Sequence, residues 1–221
     1  MKSCLQNVRN RNKFLTNEET ETMSHLTENI LSAAHALPEG GLLSPREFLH
    51  LASRAAVDQA LARLAREGAL LRVGRGLYTP PVQGRFGARP PSTESVIQAF
   101  QAANGETIVA SGAAEANALG LTPQVPVREV FLTSGRARTL QLGNRRIELK
   151  PGSKVQLSLG HRPAGRALRA LSWLGQERGP AALKQLHATL PAEEWELMQA
   201  ARKVMPAWMA RAVSMEGGQL G

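Results

Sequence analysis

The chain of 221 residues has few aromatic residues (five Phe, three Trp and one Tyr) and a single cysteine, Cys4. One cysteine cannot form an internal disulfide, which fits a protein of the reducing cytoplasm. No apolar run approaches the ~20 residues that span a bilayer. The first residues also lack the apolar block of a signal peptide. We therefore expect a cytoplasmic protein that is neither exported nor inserted in a membrane.

Sequence motifs for catalysis are absent as well. The chain has no Walker loop, no G-x-S-x-G elbow, no C-x-x-C pair and no carboxylate pair in a glycine-rich setting. His25, His35 and His50 do not have the mutual spacing of metal ligands. We expect no enzyme, no cofactor and no metal site. The alternative is an enzyme acting on nucleotides, whose acidic residues would meet only in three dimensions in a cleft of the second domain.

Basic residues outnumber acidic residues by 27 to 18, which gives a net charge of +9. The excess lies mainly in residues 24–92 and 151–221. A basic chain with few aromatic residues favours a phosphate-rich partner, held through counterion release, over stacking on unpaired bases. An arginine-rich surface that only meets solvent is the alternative interpretation.

Three helices are predicted in residues 24–66. An apolar stripe indicates the first, from Ser24 to Leu37. A capping box formed by Ser44 and Glu47 opens a short second helix, with Pro45 at its first position. Ser53 can cap the third helix, which Gly68 ends. One face of that helix carries the apolar residues Val57, Ala60, Leu61 and Leu64.

A basic hairpin follows the third helix. The runs Leu70–Val73 and Leu77–Thr79 are typical of strands, and Gly74-Arg75-Gly76 forms the turn between them. Pro80 and Pro81 end the second strand. A helix–turn–helix followed by a basic hairpin is the order of a winged helix-turn-helix DNA-binding module.

The third helix would be the one that reads DNA. Its N-terminal half would meet base edges, where Arg prefers guanine and Gln prefers adenine. Arginines further along would meet phosphates, and Arg75 would enter a minor groove or grip the backbone beside it. The predicted DNA-binding residues are Arg46, Ser53, Arg54, Ala55, Asp58, Gln59, Arg63, Arg72 and Arg75.

The rest of the chain predicts a second domain with strands and helices. We expect helices over Thr93–Ala103 and Gly112–Leu119, and strands over Thr107–Ala110, Glu129–Thr133, Thr139–Leu142, Arg145–Lys150 and Val155–Leu159. From Pro163 onward the apolar period is helical. Trp195 and Met198 are expected in the core of this segment, with Met205 following at helical spacing.

The predicted fold class is therefore α+β: an N-terminal winged helix-turn-helix domain, then a mixed α/β domain that ends in a C-terminal helical segment. The expected division is a disordered tail (1–23), the winged domain (24–82), a basic linker rich in Gly and Pro (83–92), the α+β domain (93–215) and a second disordered tail (216–221).

Several segments together resemble one known family. Arg54-Ala55-Ala56-Val57-Asp58-Gln59-Ala60-Leu61 and Arg72-Val73-Gly74-Arg75-Gly76-Leu77-Tyr78 look like the winged domain of AbiEi-type antitoxins of bacterial type IV toxin–antitoxin operons. Ser111-Gly112-Ala113-Ala114-Glu115-Ala116-Asn117-Ala118-Leu119-Gly120-Leu121 and Val130-Phe131-Leu132-Thr133-Ser134-Gly135 look like that family's second domain, and Pro206-Ala207-Trp208-Met209 like its C-terminal end. The resemblance covers roughly residues 24–215.

The resemblance implies a cytoplasmic antitoxin that represses its own operon. The helix from Ser53 and the arginines Arg72 and Arg75 would bind inverted repeats in double-stranded promoter DNA. The C-terminal region would counter a cognate nucleotidyltransferase-like toxin, directly or indirectly. The alternative is a winged-helix protein-interaction module, or a transcriptional regulator that is not an antitoxin.

Overall fold

A computed structural model describes residues 17–217 of the chain, which divides into two compact units, residues 1–91 and 92–221. The fold is mixed α+β. The first unit contains, in chain order, α1 (Asn17–Ala36), a 3-10 helix (Pro45–Phe48), α2 (Arg54–Arg66), β1 (Leu71–Gly74), β2 (Leu77–Thr79), β3 (Val82–Gly84) and β4 (Gly87–Arg89).

The ends of the chain differ from the two predicted tails. Helix α1 begins at Asn17, so the last seven residues of the predicted tail 1–23 are helical, and residues 1–16 lie outside the described part. An apolar stripe marks only the packed part of a helix, which can extend beyond it into a polar sequence. At the other end, helix continues to Gly217, and residues 218–221 lie outside the described part.

The core of the first unit lies between α1, α2 and the first hairpin. The predicted stripe of α1 is buried at Leu26 and Ile30, and it packs with the buried side chains of Leu61 and Tyr78. The predicted capping box is confirmed, because the backbone N–H of Ser44 donates to Oε1 of Glu47 at 2.7 Å. The element that it opens is a single 3-10 turn.

The segment predicted as a linker, residues 83–92, is not a plain linker. Residues Val82–Arg89 form a second antiparallel hairpin, β3–β4, in which Gly84 faces Gly87. The backbone of Gly87 has φ +105°, a conformation that suits glycine because it has no Cβ. Glycine and proline are depleted in typical strands, so the composition suggested a linker, whereas the positive φ at Gly87 is what this tight turn needs.

The second unit is built on a four-stranded sheet. Its strands are β5 (Ile108–Ala110), β6 (Glu129–Thr133), β7 (Arg138–Leu142) and β8 (Arg145–Pro151), in the order β5-β6-β8-β7. Only the pair β6–β8 is parallel. The predicted alternation is confirmed, because Leu140, Leu142, Ile147 and Leu149 are buried while Gln141 is exposed.

Helices complete the second unit: α3 (Thr93–Asn104), α4 (Gly112–Ala118), α5 (Lys154–Leu157), α6 (Pro163–Thr189), α7 (Ala192–Ala200) and α8 (Ala207–Gly217), with a 3-10 turn at Ala201–Val204. The predicted strand Val155–Leu159 is wrong, because α5 occupies this position. Gln156 accepts a hydrogen bond from the backbone N–H of Ser153 at 2.9 Å and so opens a helical turn. The apolar run alone could not distinguish a short strand from a buried helical turn.

The C-terminal helices share one apolar core, as the periodicity predicts. Leu168, Leu171, Trp195 and Met198 are buried there. Helix α6 is interrupted at Gly175, whose φ is +71°. No helix within residues 17–217 combines the length and the apolar character needed to cross a membrane.

A buried carboxylate fixes the start of α6. Glu194 on α7 accepts hydrogen bonds from Nη2 of Arg162 at 2.6 Å and from the backbone N–H of Ala164 at 3.0 Å. These bonds hold the pKa of Glu194 below its ordinary value, with the Arg162 side chain as the largest cause. The glutamate thus satisfies a free N–H at the first turn of α6, besides lying in the first turn of its own helix.

Candidate nucleic-acid interface

Helix α2 begins and ends at the predicted residues. The Oγ of Ser53 accepts a hydrogen bond from the backbone N–H of Ala56 at 3.3 Å, which caps the first turn. Past the last turn, Gly68 has φ +79°, the left-handed conformation in which a Cβ is strained. Ser53 therefore serves the helix itself through its side chain.

Helix α2 has one buried and one exposed side. Val57, Ala60 and Leu61 have no exposed surface, and Leu64 is 2% exposed. The opposite surface of the helix is exposed and carries Arg54, Ala55, Asp58, Gln59, Ala62 and Arg66. The structure thus brings four of the predicted DNA-binding residues together on one helix surface, namely Arg54, Ala55, Asp58 and Gln59.

Arg54 and Asp58 interact with each other on that surface. Nε of Arg54 lies 3.0 Å from Oδ2 of Asp58, and both side chains are about half exposed, at 56% and 50%. An exposed pair at this helical spacing stabilises a protein by only about 0.3–0.5 kcal/mol. The pair restrains the Arg54 side chain in the free protein, but little free energy is needed to break the pair so that Arg54 can contact a base.

Arg63 has a partner on another helix, which the periodicity of α2 alone could not reveal. Its Nη2–H donates to Oγ1 of Thr27 on α1 at 2.6 Å, and the Thr27 hydroxyl donates to the backbone carbonyl of Met23 at 2.7 Å. Nε of Arg63 also lies 4.0 Å from Oε1 of Glu67. The residue predicted to meet phosphates therefore joins α2 to α1.

The first hairpin carries Arg72 and Arg75 on its exposed surface. Arg72 pairs with Tyr78 across the hairpin, and a bulge separates this pair from the pairing of Gly74 with Leu77. Nε of Arg72 donates to the Gly74 carbonyl at 3.4 Å. Arg75 lies at the tip, and its guanidinium has no hydrogen bond or ion pair with the described side chains of residues 23–217.

A third extended segment fixes the hairpin to the helices. Leu43, just before the 3-10 helix, exchanges two backbone hydrogen bonds with Tyr78, at 2.8 and 3.0 Å. Arg46 is exposed on the 3-10 helix that follows. The base of the hairpin is thereby held against the start of the helical pair, while its arginine-bearing tip remains in solvent.

The second hairpin adds surface that the sequence-based assignment missed. Arg85 and Phe86 form its two-residue tip, and the Phe86 side chain is fully exposed. At its base, Nη1 of Arg89 donates to Oε1 of Glu39 at 3.2 Å. The spacing of Gly84 and Gly87 was the available signal for this turn.

Metal-binding residues do not gather in the described part of the chain. Among residues 23–217, whose side chains the structure describes, no three His, Cys, Asp or Glu side chains lie close enough together to hold a metal ion. His25, for example, is 3.0 Å from the side-chain amide of Asn29 on the same helix.

These observations define a two-unit α+β chain with an exposed polar helix face and an arginine-tipped hairpin in its first unit. The chain belongs to the family of unknown function DUF6088, which matches residues 29–195. No curated protein matches it at a significant level.

The crystal structure of the RV2827C protein from Mycobacterium tuberculosis is similar to this chain, with a TM-score of 0.48 and 16% sequence identity. The likeness covers 89% of this chain and 78% of that one. At this score the likeness carries no conclusion about function.

The different surroundings of Arg63 and Arg66 give a testable prediction. Arg63→Ala removes the hydrogen bond to Thr27, so we expect the free energy of unfolding to fall by about 1–2 kcal/mol in urea denaturation. Arg66→Ala, on the same helix but exposed, is the matched control and should change it by less than about 0.5 kcal/mol. Equal effects of the two substitutions would contradict a structural role for Arg63.

Proposed function

We propose that the first unit is a winged helix-turn-helix that binds double-stranded promoter DNA. The observation that carries the proposal is the two-sided α2, with an apolar stripe that is buried and a polar face that is exposed. A helix can read bases only if its polar face enters the major groove while its apolar face stays in the core. The order of α1, the 3-10 turn, α2 and the first hairpin also supports this module.

In this arrangement the residues divide into two roles. Arg54, Ala55 and Gln59 meet base edges from the N-terminal half of α2, with Asp58 orienting Arg54. Phosphates are held by the exposed arginines Arg46, Arg66, Arg72 and Arg75. Ala55 lets the helix backbone approach the groove because its side chain is a single methyl group.

We further propose that the protein is an antitoxin of a type IV toxin–antitoxin system that represses its own operon. This proposal rests on the AbiEi resemblance over residues 24–215, since family membership in DUF6088 assigns no function. The winged unit would bind inverted repeats in the promoter. The second unit would counter a nucleotidyltransferase-like toxin, and no catalytic step is assigned to the chain.

The second hairpin supports an alternative function for the first unit. The fully exposed Phe86 side chain at the tip of this hairpin could serve as an apolar anchor for a partner protein. The alternative function is therefore a winged-helix module that docks another protein through Phe86. Co-purification with a neighbouring gene product, lost in Phe86→Ala, together with no DNA affinity at moderate salt, would select it.

The DNA-binding proposal predicts a specific gel shift on the DNA upstream of the gene. Arg54→Ala and Arg75→Ala should each weaken binding, and loss of one phosphate contact should reduce the slope of log K against log salt by about one. Arg211→Ala, an exposed arginine on α8, removes the same charge and should leave the shift unchanged. No specific shift, or an unchanged shift after both Arg54 and Arg75 are replaced, would overturn the proposal.

The antitoxin proposal predicts rescue of growth in cells that express a neighbouring nucleotidyltransferase-like reading frame. The full chain should restore growth, and so should the double variant Arg54→Ala/Arg75→Ala, because the proposal places antitoxicity in the second unit. The same double variant should fail to repress a promoter reporter. Failure of the wild-type chain to rescue growth would reject antitoxicity and leave the DNA-binding proposal standing.

A further inference from the structure

The second unit contains a cleft of about 640 Å³. It lies among α3, α4, α6 and the sheet, and every residue that lines it belongs to the second unit. This volume is within the range of small-molecule sites, roughly 300–1,000 Å³. The cleft therefore has room for a ligand of nucleotide size.

Part of the cleft wall is apolar. Ile97 and Ile108 are buried, while Val130 and Phe131 on β6 are partly exposed. The polar residues Gln98 and Asn117 also line the cleft. An apolar wall with a few uncharged polar groups suits a flat ring with hydrogen-bonding edges.

A buried ion pair forms part of the lining of this cleft. Nη2 of Arg169 donates to Oε1 of Glu115 at 2.8 Å, and the two side chains are 1% and 6% exposed. Nη1 of Arg169 donates to the Gly160 carbonyl at 2.7 Å. Burying two charges is unfavourable, and well-packed apolar residues would often stabilise the fold as well or better. The unfavourable burial suggests that this pair has a role other than stabilising the fold.

The pair orients a more exposed arginine. The other carboxylate oxygen of Glu115 accepts a hydrogen bond from Nε of Arg166 at 2.7 Å, and the Arg166 side chain is 41% exposed. Because Glu115 is fixed by Arg169, Arg166 is fixed through its Nε. Its two terminal NH2 groups have no partner among the described side chains of residues 23–217, and they carry the fork of donors that matches a phosphate.

A second arginine of the cleft is anchored in a similar way. Nη1 of Arg145 lies 3.1 Å from Oγ1 of Thr93 and 3.9 Å from Oε1 of Glu129. Oγ1 of Thr93 in turn donates to Oε2 of Glu129 at 2.6 Å. Arg128, which is exposed, lines the same cleft. Four arginines and three glutamates line the cleft, and two of the glutamates, Glu115 and Glu129, are engaged by arginines, so the cleft keeps an excess of positive charge.

We propose that this cleft binds a nucleoside monophosphate. The phosphate is held by the terminal NH2 groups of Arg166, with Arg145 and Arg128 adding positive charge, and the base lies against the apolar wall that includes Phe131. Arg169 and Glu115 are positioning residues because they act through Arg166. The inference concerns the second unit alone, so it does not depend on DNA binding by the first.

Isothermal titration calorimetry of the full chain with AMP, GMP, CMP and UMP tests this proposal. At least one nucleotide should bind at sub-millimolar concentration. It should bind more tightly than adenosine, which lacks the phosphate, and more tightly than inorganic phosphate, which lacks the base and the sugar. Arg166→Ala should weaken binding by about tenfold to a hundredfold, the range expected for a charge-assisted hydrogen-bond pair.

The matched control is Arg146→Ala. Arg146 neighbours Arg145 on β8, is 67% exposed, pairs with Glu148 at 3.8 Å and does not line the cleft. Its loss removes the same charge and should change affinity less than about twofold. Arg166→Lys keeps the charge but loses the fork and should give an intermediate affinity, which preserves the test if Arg166→Ala unfolds.

Three results would overturn the proposal. The first is no binding by any of the four nucleotides. The second is adenosine or inorganic phosphate binding as tightly as the nucleotides. The third is equal weakening by Arg146→Ala and by the Arg166 variants, since that would indicate a diffuse attraction between charges.

Discussion

Burial of one stripe of α2 is the constraint on which the first unit depends. Val57, Ala60, Leu61 and Leu64 lie in the core with the apolar residues of α1. Burial of each of the larger side chains, Val57, Leu61 and Leu64, contributes roughly 1.5–3 kcal/mol. Because a helix is rigid, burying this stripe turns the polar face outward. The exposed face is therefore a consequence of core packing, and it does not need to be held in place by surface contacts.

The arginines of the first unit differ by their partners more than by their position in the sequence. Arg63 and Arg66 are three residues apart, yet the first is hydrogen-bonded to Thr27 and the second is exposed. Arg54 is restrained by a weak exposed pair. A count of positive charges treats these residues as equal. The contacts separate an arginine that holds two helices together from those that remain available to phosphate.

Sequence patterns anticipated the features that are local. The caps at Ser44 and Ser53, the end of α2 near Gly68 and the turn between β1 and β2 all depend on residues within a few positions of each other. The sequence patterns failed where the composition was misleading or where the structure depends on residues far apart in the chain. The second hairpin was predicted as a linker because its sequence is rich in glycine. The helical turn at Val155 was predicted as a strand because the sequence there is an apolar run. The cleft was not predicted because Glu115 lies far along the chain from Arg166 and Arg169.

Site-directed cleavage of DNA tests the central claim, that the exposed face of α2 lies against base pairs. A chelated iron attached at Ala62→Cys, exposed on α2 beyond the residues that meet base edges, in a Cys4→Ser background, should cut promoter DNA at a few adjacent nucleotides within the bound site. The same reagent at Ser32→Cys, exposed on α1, should give markedly less cutting. Absence of cutting from position 62, or equal cutting from both positions, would contradict the account.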